Sequence, residues 1–64
     1  MKVNGKELSF EREVTVKELL NELNLEEKKV VVEVNLEIVP IDKYRTFLLR
    51  ENDSIEVLSF VGGG

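Results

Sequence analysis

Val30-Val31-Val32-Glu33-Val34 leaves the chain few choices. Four of these five residues are β-branched, stiff at χ1, and fit a pleated strand better than a helix. Val30, Val32 and Val34 point one way, with Val31 and Glu33 on the opposite face. A nearly continuous apolar run of this kind belongs at the centre of a sheet. The rest of a chain of 64 residues must supply its neighbours, so a single domain is expected. With no cysteine there is no disulfide to help, and the core has to hold the fold alone. Val, Leu and Ile dominate an apolar fraction of 42%, which permits such a core.

Neighbouring elements can be read on either side. Asn4-Gly5 lies between Met1-Lys2-Val3 and Lys6-Glu7-Leu8-Ser9-Phe10. Asn-Gly is the strongest short hairpin signal, because both residues accept positive φ in a type I′ turn. Leu8 and Phe10 share a face in that reading, with Val3 across from them. Thr15-Val16-Lys17-Glu18 is a capping box, and Val14 with Leu19 stands where a hydrophobic staple closes. Val16, Leu19, Leu20 and Leu23 then fall on one helical stripe, which core packing explains, and Asn24 is the stop. Lys28-Lys29 leads into the central strand as a solvated pair. Asn35-Leu36-Glu37 reads as a tight reversal, followed by a short Ile38-Val39 strand that Pro40 ends. Asp42-Lys43-Tyr44 suits one turn of helix, and Phe47, Leu48 and Leu49 add core or near-core bulk. Glu51-Asn52-Asp53 is a turn, with Asn52 able to adopt the left-handed conformation.

The last strand runs from Ser54 to Phe60, and its pattern slips. Ile55 and Val57 share one parity, while Leu58 and Phe60 are apolar at the other. Either a bulge shifts the register, or Leu58 and Phe60 lie on the face away from the helix. On the second reading they form a docking patch beside the chain end. That end is Val61-Gly62-Gly63-Gly64. Three glycines hold neither strand nor helix, so residues 62–64 are expected to be a flexible tail on a domain of residues 1–61. A slim carboxylate on such an arm can enter a narrow channel. The alternative is an inert, frayed end.

These elements give an α+β fold: a mixed four- to five-stranded sheet packed on one main helix, with the first and last strands parallel at its centre. This is the β-grasp, or ubiquitin-like, arrangement.

Several function classes fit the residues poorly. The net charge is −4 and no basic run exceeds two residues, so a nucleic-acid footprint is not expected. An acidic domain favours a partner with a basic surface. No stretch has the length of a transmembrane helix and the start carries no signal peptide, so a cytoplasmic location with no membrane association is expected. There are no histidines, and no nucleophile stands beside a base. The acids, including Glu11, Glu13, Glu26 and Glu27, read as a solvated face, and Glu51, Asn52 and Asp53 lack the spacing of a calcium loop. No metal site and no enzymatic activity are expected of this chain.

Three stretches carry a family resemblance. Val14 to Leu23 looks like the helix-opening segment of the sulfur carrier proteins of thiamine biosynthesis (ThiS type). Val34-Asn35-Leu36-Glu37-Ile38-Val39-Pro40 is similar to that family's V-N-x-x-I/V-V-P hairpin. Asn52 to Val57, followed by Val61-Gly62-Gly63-Gly64, resembles its last strand and tail. Three positions depart: Leu36 stands where glycine is common, Asn52 replaces a usual glycine, and Ile41 replaces a frequent basic residue. The resemblance implies a carrier cycle and no cofactor bound by this chain. An E1-like adenylating enzyme (ThiF type) uses MgATP to activate the Gly64 carboxylate. A sulfur donor protein or sulfide converts it to a thiocarboxylate, which delivers sulfur to a thiazole synthase (ThiG type). Gly62 and Gly63 let the tail thread those sites, and Leu58, Phe60 and Val61 form the partner-binding surface. The free chain is expected to be a monomer. The small subunit of a molybdopterin or tungstopterin synthase, a ubiquitin-like modifier conjugated through Gly64, and a plain or designed β-grasp binding domain are the competing readings.

Overall fold

Asn4 and Gly5 take φ values of 52° and 84°, as a type I′ turn requires. They join strand β1 (Lys2–Val3) to β2 (Lys6–Glu7) in the computed structural model, which describes residues 1–60. The hairpin is shorter than the sequence suggests, because β2 ends at Glu7. Leu8 instead donates its amide to the Met1 carbonyl at 2.9 Å, and Leu8 and Phe10 lie half-buried against the core.

Helix α1 (Val16–Glu22) begins with the expected capping box. The Thr15 hydroxyl accepts from the Glu18 amide at 3.1 Å, and the Glu18 carboxylate accepts from the Thr15 amide at 2.9 Å. The other two leading amides also find acceptors, from a distant loop. Val16 donates to the Phe47 carbonyl at 3.0 Å and Lys17 to the Tyr44 carbonyl at 2.9 Å. The donors that a helix start leaves unpaired are thus satisfied, and the loop is fixed to the helix at the same time. At the other end Asn24 has φ 58°, and the Leu25 amide donates to the Leu20 carbonyl at 2.9 Å. With Asn24 donating to Asn21, this is a Schellman ending, and it explains why the helix stops at Asn24.

The main sheet has five strands in the order β2-β1-β7-β4-β5, with β4 Val30–Val34, β5 Glu37–Ile38 and β7 Ser54–Ser59. β1 and β7 run parallel at its centre and β7 pairs antiparallel with β4. β4 alternates as predicted, with Val30, Val32 and Val34 buried. Asn35 and Leu36 both have positive φ, 53° and 73°, which closes the two-residue β4–β5 turn. Single 3₁₀ turns occupy Glu27–Lys29 and Ile41–Lys43.

A second, two-stranded sheet pairs β3 (Val14–Thr15) with β6 (Leu48–Leu49). It divides the three residues from which core or near-core bulk is expected, Phe47, Leu48 and Leu49. The pairing sends Leu49 inward at 0% exposure and Leu48 outward at 46%, while Phe47 is 37% exposed. Asn52 is a correction, since it is not among the residues with positive φ. The Arg50–Asp53 turn is held by the Arg50 amide donating to Asp53 Oδ2 at 2.9 Å and the Asp53 amide to the Arg50 carbonyl at 3.1 Å. Closed by this reciprocal pair of bonds, the turn needs no left-handed residue.

The core lies between the helix and one face of the main sheet. Leu19, Leu20, Val16, Val32, Leu49 and Ile55 are fully buried. Each such side chain stabilises the fold by about 1.5–3 kcal/mol relative to exposure. Val14 and Leu19 are both buried at the helix start, as the staple requires. Glu27 corrects the picture of uniformly solvated acids. Its carboxylate is 21% exposed and lies 3.6 Å from both Lys17 Nζ and Arg45 Nη2. The pair of cations ties the 3₁₀ turn to α1 and to the loop after Tyr44.

Candidate docking face

The period slip in the last strand resolves without a bulge. Pairing is continuous from Val34 opposite Ile55 to Val30 opposite Ser59. Ile55 and Val57 therefore face the helix, and Leu58 faces away from it. Leu58 is 52% exposed and Phe60 55%. Phe60 lies just past the strand end, where its amide donates to the Lys29 carbonyl at 3.1 Å.

Register decides which residues join them. Val31 stands directly opposite Leu58, and Glu33 lies between Glu56 on one side and Ile38 on the other. Side chains directly opposite one another on neighbouring strands have Cβ atoms about 4.5–5.5 Å apart. Val31, Leu58 and Ile38 thus share the outer face, on which Ile38 is 66% exposed. The sequence reading picked out Leu58 and Phe60 but missed Ile38 as part of this face. The signal was present: a two-residue Asn35-Leu36 turn forces Glu33 opposite Ile38, hence onto the same side.

The face is acidic as well as apolar. Glu33 and Glu56 oppose each other across β4 and β7, and neither forms an ion pair among the described residues. Like charges so placed repel, and a cationic group arriving from a partner would relieve them. Val61, Gly62, Gly63 and Gly64 lie outside the described residues, as does the 61/62 domain boundary. The chain runs toward them from Phe60, at the end of this face.

Little else among the described residues has the makings of a reaction site. No group of three or more acidic side chains is placed to hold a metal. One groove runs past Ser9, Arg12 and Glu13 to Arg50, and Arg50 is ion-paired to Glu13 at 3.7 Å. No helix there is long and apolar enough to cross a membrane. Burial raises the Tyr44 phenol above its ordinary value, and the Glu27 charge adds to the effect.

Fold and face together define a ubiquitin-like β-grasp protein that presents apolar side chains beside its C-terminal strand. Comparison with known proteins gives the family. The ThiS family model matches residues 1–64, and the chain belongs to the ThiS family. It is 38% identical over 65 residues to the sulfur carrier protein ThiS of Bacillus subtilis, covering 100% of this chain and 98% of that one. It is 44% identical over 62 residues to a thiazole synthase of Paramagnetospirillum magneticum, covering 97% of this chain. There the chain spans only 19% of the relative's length. The crystal structure of the thiamine biosynthesis protein ThiS from Geobacter metallireducens superposes with a TM-score of 0.82 at 32% identity, covering 98% of this chain and 96% of that one.

Proposed function

We propose that this chain is a sulfur carrier of thiamine biosynthesis, acting through the carboxylate of Gly64. What chiefly supports the reading is the full-length likeness to the Bacillus subtilis sulfur carrier, which extends through the triglycine end. The chemistry is consistent with a chain that supplies no catalytic groups of its own. A free carboxylate is a poor electrophile. In the proposed cycle an E1-like adenylating enzyme of the ThiF type binds MgATP. A Gly64 carboxylate oxygen attacks the α-phosphorus, pyrophosphate leaves, and an acyl-adenylate forms. Hydrosulfide then adds to the acyl carbon and expels AMP, leaving a thiocarboxylate. A protein persulfide does the same through an acyl disulfide, which a second thiol cleaves. MgATP belongs to the activating enzyme.

In this reading the outer face is the docking surface. Leu58, Phe60 and Val61 contact the activating enzyme, with Val31 and Ile38 extending the apolar area. Gly62 and Gly63 are the slender part of a flexible tail, residues 62–64, that enters the partner's channel, while residues 1–61 form the domain. The thiazole synthase partner, of the ThiG type, draws support from the Paramagnetospirillum magneticum relative, in which a similar segment belongs to a protein named thiazole synthase. A carrier joined to its acceptor works at high effective concentration. A free carrier needs an affinity of its own, which an exposed apolar face can provide. The proposed setting is the cytoplasm, with the chain monomeric between encounters.

Intact mass tests the reading. The chain is incubated with an E1-like enzyme, MgATP and sulfide. The expected gain is that of one oxygen replaced by sulfur, absent when Gly64 is deleted from a chain that still melts at the same temperature. Adenylation without sulfur uptake, followed by attachment to lysines of other proteins, would instead identify a modifier. Transfer of the sulfur to a pterin precursor rather than to thiazole would identify the molybdopterin branch.

A further inference from the structure

Asn4 does more than turn a hairpin. Strand β1 pairs with β7 only as far as Val3 opposite Ile55, and the chain then reverses at Asn4-Gly5. β7 continues to Ser59 with β4 beside it. Its other edge would be bare from Val57 onward. The Asn4 carboxamide covers the first part of that edge. Its Oδ1 accepts from the Val57 amide at 2.7 Å and its Nδ2 donates to the Val57 carbonyl at 3.2 Å. The Asn4 backbone amide meanwhile donates to the Ile55 carbonyl at 2.9 Å. A side-chain amide thus takes the place of the next peptide group of β1. Asparagine suits both tasks, because it tolerates positive φ and carries a donor and an acceptor in one plane.

The clamp lies next to the docking face. Val57 immediately precedes Leu58 and stands three residues before Phe60. Through Val57 the strand is gripped on both edges, whereas the Phe60 amide is held only from the β4 side, by Lys29. We propose that Asn4 is a positioning residue for partner recognition: its carboxamide fixes the backbone from which Leu58 and Phe60 project and from which the chain end departs. The proposal rests on the docking reading above.

Two variants separate turn from clamp. Asn4→Gly keeps a residue suited to positive φ and removes the carboxamide. Asn4→Asp keeps both the turn and the acceptor for the Val57 amide but lacks the donor. Two quantities are measured on the full chain: backbone amide hydrogen exchange by NMR, and the KM and kcat for adenylation by an E1-like enzyme. In Asn4→Gly, exchange at Val57 is expected to quicken about tenfold relative to Val32, since two hydrogen bonds are lost locally. The KM for the carrier is expected to rise by about the same factor with kcat unchanged, and in Asn4→Asp, where a carboxylate oxygen would face the Val57 carbonyl, to rise as well. Quickened exchange with an unchanged KM would make Asn4 merely structural and overturn the proposal. So would unchanged exchange at Val57. Phe60→Ala, run alongside, separates the two readings. If it too leaves KM unchanged, the docking face itself is wrong. If it raises KM while Asn4→Gly does not, only the role given to Asn4 fails.

Discussion

Replacing Leu36 with glycine is expected to stabilise this domain, although it deletes an entire leucine side chain. Leu36 has φ 73° in the β4–β5 turn. A left-handed conformation costs a residue with a Cβ about 1–2 kcal/mol, and glycine escapes that cost. Two effects oppose the gain. Glycine's extra freedom in the unfolded chain costs about 0.5–1 kcal/mol. The other loss is burial, and here the structure supplies the number: Leu36 is 88% exposed, so only about one eighth of its side-chain burial, roughly 0.2–0.4 kcal/mol, is at stake. Midpoints leave a net stabilisation of about 0.5 kcal/mol, or a rise in Tm of about 2–4 °C for a domain this small. Leu36→Ala is the control, because it keeps the strain and loses the same small burial. It should melt slightly below the parent. Thermal and urea denaturation of the three chains decide the matter. A glycine variant that melts at or below the parent would refute the reasoning, by showing that Leu36 contributes contacts worth more than its exposure allows.

Phe60→Ala is expected to cost well under the roughly 3–5 kcal/mol of a buried phenylalanine, because the ring is 55% exposed, while weakening binding to the activating enzyme at least about tenfold. Urea titration and a binding isotherm on the same preparation check both halves, and a stability loss of about 3 kcal/mol or more would return Phe60 to the core. The Tyr44 phenol gives a pH dependence with a definite sign. Burial is the main cause of its raised pKa, the Glu27 charge reinforces it, and a backbone hydrogen bond opposes it. The unfolded chain therefore loses this proton first, near pH 10.0, so the contribution is full below that pH and is lost as pH rises through the folded value. Lysines titrate in the same range, so the measurement is the difference between parent and Tyr44→Phe. Urea stabilities should keep a constant gap up to about pH 9 and shift in the variant's favour above 10. A gap that stays constant through pH 11 would mean that Tyr44 is not desolvated in the folded chain.

The acidic pair on the outer face bears on function as much as on stability. Glu33 and Glu56 oppose each other beside Val31, Leu58 and Ile38, without a cation among the described residues. In a free monomer that arrangement is unfavourable, and a compensating stripe of lysine on β5 would have been a simple remedy. If the proposed partner docks through a basic surface, uncompensated charge here speeds the encounter more than it tightens the complex.

Much of this fold is legible in the sequence because it is decided within a few residues. Asn4-Gly5 accepts positive φ whatever surrounds it. Thr15 and Glu18 cap a helix three residues apart, and the alternation of Val30, Val32 and Val34 sets the buried face of β4. Order along the chain then leaves few ways to cover that face, so the β-grasp arrangement follows, and the family resemblance with it. Contacts between distant segments are another matter. The pairing of Val14-Thr15 with Leu48-Leu49 has no local signature, and it alone decides that Leu49 is core while Leu48 is not. Leu58 carried an ambiguity that only continuous pairing with Val31 removed. Ile38 joined the candidate face through register. Asn4 and Val57 are 53 positions apart, and nothing near either residue announces that a side chain will stand in for a strand. Local propensity acts through a residue's own backbone and the neighbours it always has. Burial and hydrogen-bond partners depend on which distant surface arrives, and only the folded chain brings that surface into contact.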